Sequence, residues 1–169
     1  MSLTTWAIII AITILFIFYL RFKKNSKNQA LKKQEAEAKK KYQLYLKRFN
    51  DTSNLKKLEP QITKVAGTKY ENEDTGVNRQ DIIKKSKEGE LLMLIPDELN
   101  RFDSSAIKVV KLNDEQIGFL DMDISVEIKS RLKSQSLVEA KILKIYKEKD
   151  NFEVEIALQR YSRKLKQPL

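Results

Sequence analysis

The side chains that most often perform chemistry in enzymes are scarce in this chain of 169 residues. It contains no histidine and no cysteine, so the common zinc sites and the Ser–His and Cys–His nucleophile pairs cannot form. An all-carboxylate metal site is still allowed, but no group of acidic residues has the spacing of a calcium-binding loop. The sequence also lacks a glycine-rich ATP-binding loop. It therefore predicts a binding protein without metal or cofactor rather than an enzyme.

The charged residues are unevenly distributed along the chain. The net charge is +10, yet the first twenty residues carry no charged side chain. Residues 21–48 hold eleven basic and two acidic residues, whereas residues 49–169 hold 22 basic and 21 acidic ones. A strongly basic chain usually indicates nucleic-acid binding. Here most of the excess positive charge directly follows an apolar segment. The first interpretation is therefore that this part of the chain contacts a membrane.

The N-terminal segment predicts a retained transmembrane helix over residues 1–22. Residues 3–20 are apolar and interrupted only by threonines, and eighteen helical residues span about 27 Å, close to the hydrocarbon core of a bilayer. Trp6 and Tyr19 suit the two interfaces, and a basic run begins at Arg21. A cleaved signal peptide would need a small-residue cleavage site, and an interfacial helix would need a polar face. We therefore expect a single-pass membrane protein with its N-terminus outside and its C-terminal domain in the cytoplasm.

Residues 23–58 predict a basic helical linker between the anchor and a folded domain. They are rich in Lys, Ala, Glu, Gln and Leu, which favour helix. Tyr42, Tyr45, Leu46 and Phe49 fall on one helical face. We expect a solvated helix, with a coiled coil as the alternative, although the apolar seam is shorter than three heptads. The basic residues nearest the membrane would bind anionic lipids.

Residues 60–162 predict a mainly β domain with two short helices, followed by a tail over residues 163–169. Asn78 and Asp121 are typical N-cap residues for the helices. Because six short strands can bury a core only by curling, they predict a small antiparallel β-barrel that removes the sheet edges. The predicted strands cover residues 62–70, 91–95, 106–112, 116–120, 137–146 and 152–158.

Five motifs in this domain resemble, in their order and spacing, the HIRAN domain family. They are VAGTKY at residues 65–70, NRQDII at 78–83, GELLML at 89–94, NRFDSSAIKV at 100–109 and QIGFL at 116–120. The resemblance covers about residues 61–160, and the motif at 100–109 is its most specific part. HIRAN domains are known at the N-terminus of helicase-like transcription factor and related DNA-repair remodellers, and as stand-alone bacterial domains.

The resemblance implies an OB-like β-barrel that binds nucleic acid and favours the 3′ end of single-stranded DNA. Carried over by position, Gly67, Lys69 and Tyr70 would line the binding pocket, with Lys69 near a phosphate. The resemblance thus adds single-stranded DNA to the membrane lipids expected as partners of the basic segment.

Four further residues belong to the site that the resemblance implies. Phe102 would stack on the terminal base, because an aromatic face stacks on any base for about 1–3 kcal/mol. Asp103 would accept the 3′-hydroxyl, since a carboxylate accepts a hydroxyl hydrogen but repels a phosphate. Asn100 would support this loop. Phe119 is assigned to the same interface, although the repair-protein version of the domain has a polar ring at its position.

Four of these residues also have an ordinary structural interpretation. Gly67 is typical of a bend in a strand, Asp103 of a turn cap ahead of two serines, and Phe102 and Phe119 of core positions. Residues 49–169 carry only one more basic than acidic residue, which gives little electrostatic affinity for a polyanion. The alternative function is therefore a membrane-anchored protein-interaction or scaffold domain that keeps the barrel without binding DNA.

Overall fold

The computed structural model describes residues 3–49 and 55–163, with residues 3–14, 25, 27, 28 and 163 described by their backbone only. The chain divides into one compact unit up to Lys40 and another from Lys41 onward. Beyond residue 163, the predicted tail lies outside the described residues. In chain order the elements are α1 (Leu3–Leu46), β1 (Leu55–Lys57), β2 (Gln61–Ala66), α2 (Arg79–Lys84), β3 (Leu91–Pro96), β4 (Ile107–Lys111), β5 (Gln116–Leu120), α3 (Met122–Lys133), β6 (Val138–Glu148) and β7 (Asn151–Arg163).

The transmembrane anchor predicted for residues 1–22 falls largely outside this description. Residues 1 and 2 and the side chains of residues 3–14 are not described. In the part of the chain that is described, no helix is both long and apolar enough to cross a bilayer. Neither the anchor nor the coiled-coil alternative is supported by the described residues.

The seven strands form one antiparallel sheet that returns to its starting point. Its order is β1-β7-β2-β5-β4-β3-β6, and β6 also pairs with β7. Leu158 of β7 pairs with Gln61 of β2 on one side and with Ala140 of β6 on the other, so β7 closes the run of strands from β2 to β6. Each of β2 to β6 therefore has two hydrogen-bonded neighbours, and β7 has three. The prediction of a mainly antiparallel β domain with two short helices is confirmed, and β1 is an additional strand.

The core lies on the inner face of this closed sheet, beneath the two short helices. Ile82 and Ile83 of α2 and Ile128 of α3 are almost completely buried in it. The predicted caps are confirmed, because Asn78 Oδ1 accepts from Gln80 N at 2.9 Å and Asp121 Oδ1 accepts from Asp123 N at 3.0 Å. The strands contribute Val65, Leu92, Leu94, Ile107, Val109, Ile117, Leu120, Val138, Ala140, Ile142, Val154, Ile156 and Leu158.

A glycine permits the close approach of β2 and β5. Gly118 has φ +154°, and a Cβ at this position would lie 2.4 Å from the carbonyl oxygen of Ala66. Such a contact is too short for a side chain, so the ladder requires glycine here. The same approach places Phe119, the next residue, in register with Ala66.

The end of α1 differs from the solvated linker that the sequence predicts. Tyr42 and Tyr45 are 6% and 4% exposed. They pack against Met93 and Val110 on the outer face of β3 and β4, forming a second apolar cluster, and Lys41 makes an ion pair with Asp114. The partly buried members of this cluster are Leu46, Phe49, Ile95 and Leu112. The prediction was wrong here because helical periodicity shows which face is apolar but not what covers it.

The Tyr45 hydroxyl completes the hydrogen bonding of β3. β6 pairs with β3 only at Leu91 and Leu92. Beyond this point Leu94 N donates to Tyr45 Oη at 3.2 Å, and Tyr45 Oη donates to Leu94 O at 3.5 Å. The helix end therefore occupies the place that a neighbouring strand would otherwise fill.

A carboxylate ties the helix end to the long hairpin of β6 and β7. The hydroxyls of Tyr42 and Tyr161 both donate to Glu139, the first at 3.5 Å. Burial, together with this carboxylate, raises the pKa of Tyr161 to about 12 and raises the pKa of Tyr42 as well. Both hydroxyls therefore stay neutral and keep donating at physiological pH.

Replacing Tyr45 tests whether the helix end is part of the folded domain. In residues 41–169, Tyr45→Phe should lower the free energy of unfolding by about 1–3 kcal/mol, because the Leu94 amide loses its partner. Tyr45→Ala should cost about 3–5 kcal/mol. The matched control is Leu44→Ala on the same helix, where the side chain is 56% exposed and the cost should stay within about 0.5 kcal/mol. Equal unfolding midpoints in urea for the two alanine variants would contradict the docked helix.

Candidate nucleic-acid interface

The turn after β2 brings three side chains around Gly67. The turn closes where Tyr70 N donates to Gly67 O at 3.3 Å, and Gly67 has φ +71°, which favours glycine. A Cβ on Gly67 would lie 3.1 Å from Arg79 Nη1, 3.7 Å from Tyr70 Cδ2 and 3.9 Å from Phe119 Cδ2. Gly67 is thus the floor of a small space between an arginine and two aromatic rings.

Arg79 is buried at the start of α2 and points back at this turn. Its Nη1 donates to Gly67 O at 2.9 Å, and its Nε donates to Asn72 Oδ1 at 2.7 Å. Asn72 Nδ2 in turn donates to Gln116 O at 3.0 Å. Burial lowers the pKa of the Arg79 guanidinium, which the charges of Glu73 and Asp74 partly offset. Its guanidinium carbon lies 5.0 Å from the centre of the Phe119 ring, within the range of a cation–π contact.

Gln80, the next residue, fastens the turn to β7. Its Nε2 donates to Thr68 O at 2.9 Å and to Phe152 O at 3.0 Å, and Phe152 N donates to its Oε1 at 2.6 Å. Asn78, Arg79 and Gln80 therefore act together, since the first caps α2 and the other two hold the turn. Arg79 and Gln80 were not predicted as site residues, because the NRQDII motif does not reveal which distant groups they contact.

Phe119 lies on the outer face of the sheet and not in its core. It pairs in register with Ala66 of β2 and Lys108 of β4, and Lys108 pairs with Ile95 of β3. None of these four side chains is fully buried, whereas their neighbours Val65, Leu120, Val109 and Leu94 all face the core. The core interpretation of Phe119 is therefore wrong.

Two lysines accompany the aromatic side chains on this face. Lys69 Nζ lies 5.4 Å from the centre of the Tyr70 ring, and Tyr70 is 59% exposed. Lys108 Nζ lies 3.7 Å from Asp97 Oδ1, so this carboxylate partly neutralises it. We call the surface formed by Gly67, Lys69, Tyr70, Lys108 and Phe119, with the buried Arg79 beneath it, the aromatic–basic face.

The loop of residues 97–106 between β3 and β4 holds the other predicted site residues. Asn100 Oδ1 accepts from Phe102 N and from Asp103 N, both at 3.0 Å. Asp103 Oδ1 accepts from Ser105 N at 2.7 Å and from Ser105 Oγ at 2.5 Å. The hydrogen bonds from Ser105 lower the pKa of the Asp103 carboxyl, so it is ionised at neutral pH. Asn100 supports the loop as expected, and Asp103 is a turn cap.

The loop is fastened to α3 on its other side. Lys129 Nζ donates to Ser104 O at 2.7 Å and to Glu98 Oε2 at 3.3 Å, and the hydroxyls of Ser105 and Ser125 lie 3.0 Å apart. These contacts hold the backbone while Phe102 projects outward with 94% of its surface exposed. The core interpretation of Phe102 is therefore wrong.

The predicted site residues thus fall into two groups. Gly67, Tyr70 and Phe119 meet around Arg79, with Lys69 beside Tyr70. Asn100, Phe102 and Asp103 lie in the 97–106 loop, which the Lys108–Asp97 ion pair connects to the aromatic–basic face. Within residues 3–49 and 55–163, no three acidic side chains are grouped so that they could hold a metal ion.

Comparison with known proteins identifies the domain that carries both groups. The HIRAN domain profile matches residues 59–161, more than half of the chain. The chain belongs to the HIRAN domain family. The match includes all seven residues that the sequence analysis assigned to the binding site.

Two solved structures share this HIRAN fold. The HIRAN domain of human HLTF has a TM-score of 0.52 at 18% sequence identity, and the alignment covers 67% of this chain and 84% of that chain. A protein from Lactobacillus plantarum has a TM-score of 0.51 at 16% sequence identity. The alignment covers 64% of this chain and 97% of that chain. At these identities the likeness is one of fold alone. No curated protein sequence matches the chain significantly.

Asn100→Ala should loosen the 97–106 loop without unfolding the domain. It removes the acceptor of two backbone amides, a loss of about 1–3 kcal/mol of local stability. Trypsin should therefore cleave the Arg101–Phe102 bond at least about fivefold faster, because cleavage follows the population of the opened loop. Asn113→Ala, in the exposed turn between β4 and β5, is the matched control and should leave this cleavage rate unchanged. Equal rates in both variants would show that Asn100 does not hold the loop.

Proposed function

We propose that this chain is a membrane-tethered nucleic-acid-binding module that receives the 3′ end of a single strand on its aromatic–basic face. HIRAN domains are generally nucleic-acid-binding modules, and this chain belongs to the family. The proposed activity is binding and not catalysis. We further propose that the strands, which pair in a closed order, form the OB-like barrel implied by the resemblance to HIRAN domains.

The observation that carries this proposal is the pairing of two aromatic rings of this face with a cation. Lys69 accompanies Tyr70, and Arg79 accompanies Phe119. Aromatic rings bind unpaired bases by stacking, while nearby cations attract the phosphates between them. The near-zero net charge of the domain predicts that this binding depends more on stacking than on the attraction of phosphates.

The charge of the 97–106 loop supports recognition of a strand end. The loop contains Asp97, Glu98 and Asp103 against a single basic residue, Arg101. By register, the outer row from Ala66 through Phe119 and Lys108 leads toward this loop. A DNA strand that lies along this row of side chains meets the carboxylates of the loop. These groups repel a further phosphate but accept a hydrogen bond from a terminal hydroxyl. Phe102 is exposed at the same place and can stack on the last base.

The proposal predicts that the full-length chain distinguishes the two kinds of 3′ end. Single-stranded DNA with a 3′-hydroxyl should bind at least about tenfold more tightly than the same strand with a 3′-phosphate, the effect of one charge-assisted hydrogen bond. Asp103→Asn should remove most of this preference while keeping the Oδ1 acceptor for Ser105. Fluorescence anisotropy at low salt measures both affinities.

Asp150→Asn, in the exposed turn between β6 and β7, is the matched control and should retain the preference. Equal affinity of the unmodified chain for both ends would reject end recognition and leave strand binding intact. A chain that binds neither strand at low salt would reject the nucleic-acid proposal as a whole.

The tether is proposed from the N-terminal segment of the sequence. Residues 3–20 carry no charge and are followed by Arg21, Lys23 and Lys24, the pattern of a membrane span with cytoplasmic flanking charges. Six consecutive large apolar or aromatic side chains, from Leu15 to Leu20, are 48–69% exposed on α1. A bilayer would cover such a surface, and the basic residues after it would contact anionic headgroups.

Membrane extraction tests the tether separately from the ligand. The full-length chain should stay with the membrane fraction after alkaline carbonate washing and should be released by detergent. Leu15→Lys combined with Ile17→Lys should move it to the soluble fraction, because each charge opposes burial in hydrocarbon. Lys32→Leu combined with Lys33→Leu, outside the apolar segment, is the control. Release of the unmodified chain by carbonate would contradict a transmembrane anchor.

The second candidate function, a protein-interaction domain, is favoured by a different surface. Leu99 and Phe102 of the 97–106 loop and Met122 and Val126 of α3 are 63–94% exposed. The residues of 97–106 and 121–129 include six acids and two bases, which disfavours a polyanion as their ligand. Exposed apolar side chains with an acidic border suit a basic protein segment.

A further inference from the structure

A cleft of about 330 Å³ lies between the end of α1 and the end of α3. Both of its walls belong to the compact unit that begins at Lys41. Binding sites for small molecules have volumes of about 300–1,000 Å³, so the cleft has room for a small ligand. None of the described residues that line it belongs to the aromatic–basic face or to the 97–106 loop. They are Tyr45, Arg48, Phe49, Leu132, Lys133 and Gln135.

The side chains of this cleft give it a positive charge. Its described lining includes two exposed basic side chains, Arg48 and Lys133, and no acidic one. The two helix ends oppose this charge, because the free carbonyl groups at a helix C-terminus carry about half a negative charge. Two such ends offset at most about one of the two positive charges. The cleft therefore remains positive and favours an anion.

Gln135 has a backbone conformation that favours glycine. Its φ is +54°, Gln135 N donates to Leu132 O at 3.1 Å, and Ser136 N donates to Arg131 O at 2.8 Å. These two hydrogen bonds form a Schellman motif, in which the left-handed residue is usually glycine. A glutamine here costs stability that a glycine would not cost. Its side chain lines the cleft, where the amide group can donate a hydrogen bond to an anion.

Aromatic contacts hold the Arg48 side of the cleft. The Arg48 guanidinium carbon lies 5.7 Å from the centre of the Tyr45 ring. The Phe49 ring packs edge-on against the same ring, with 5.3 Å between the ring centres. Tyr45 is buried and hydrogen-bonded to Leu94, so it fixes both neighbours. Phe49 on one wall and Leu132 on the other are partly buried and provide apolar surface beside the two cations.

We propose that this cleft binds a phosphate monoester, with Arg48 and Lys133 contacting the phosphate and Gln135 donating a hydrogen bond to it. The planar fork of an arginine matches the oxygens of a phosphate, and a lysine adds a point charge. The apolar walls contact the organic group that carries the phosphate. A soluble ester and the headgroup of phosphatidic acid share this chemistry. The site is independent of nucleic-acid binding at the aromatic–basic face.

Titration calorimetry of the full-length chain in a neutral detergent tests the cleft. Glycerol 3-phosphate is the soluble probe, glycerol is its uncharged control, and phosphatidic acid in the same detergent is the lipid probe. Saturable binding of glycerol 3-phosphate identifies a soluble ester, and binding of phosphatidic acid alone identifies a lipid headgroup. In either case Lys133→Met should weaken binding at least about tenfold, the effect of one charge-assisted hydrogen bond.

Gln135→Gly distinguishes a binding role from a structural one. It should weaken binding of the probe about fivefold through the lost hydrogen bond. It should also raise the melting temperature of the unliganded chain, because glycine adopts the left-handed conformation without strain. Lys47→Met is the matched control, since Lys47 adjoins Arg48 but is not among the residues that line the cleft; it should leave the affinity unchanged. Equal affinities of Lys133→Met and Lys47→Met for the probe would overturn the proposal.

Single-stranded DNA separates this site from the proposed function. Lys133→Met and Gln135→Gly should leave the affinity for the strand unchanged. If both variants lose strand affinity and neither phosphate probe binds, the cleft belongs to the nucleic-acid interface and the phosphate site is rejected. Failure of both probes to bind the unmodified chain would reject it as well. A chain that binds a phosphate probe through Lys133 but binds no strand would reject only the proposed function.

Discussion

The pairing of β7 on both of its edges is the constraint on which the rest of the domain depends. The strand meets β2 along one edge and β6 along the other, with β1 added at its end. Because this closes the sheet, side chains that alternate along the strand point in turn to the interior and to the exterior. Ile156 and Leu158 are fully buried, and the outward positions of the neighbouring strands become available for function. Phe119 and Lys108 face outward because the residues next to them along each strand face inward and fill the core.

The alternation of apolar and polar residues predicted most of this fold. Residues 152–158 alternate so regularly that β7 could be predicted from them alone, and the capping residues marked where both short helices begin. β1 could not be predicted, since three residues reading Leu-Lys-Lys carry no alternation and form a strand only through pairing with the end of β7. The docking of Tyr42 and Tyr45 escaped prediction because their partners, Met93 and Val110, are distant in sequence.

The candidate site was predicted where short-range geometry determines it. Asn100 contacts residues two and three positions away, so its supporting role followed from its place in the resembling motif. Arg79 was missed, because its partners at Asn72, Gly67 and Phe119 meet only after β2, α2 and β5 have assembled. The sum of charges over the domain did not show their local distribution, since the 97–106 loop holds three acidic residues and one basic residue.

The contact between Tyr45 and the free part of β3 also concerns neighbouring molecules. An exposed strand edge presents unpaired amide and carbonyl groups that can pair with a strand from another copy, which leads to aggregation or exchange of strands. The Tyr45 hydroxyl hydrogen-bonds to both the amide and the carbonyl of Leu94. These two groups of β3 are therefore not free to pair with another strand. The end of α1, which connects the domain to the preceding chain, therefore also blocks this part of β3 from pairing with a strand of another copy.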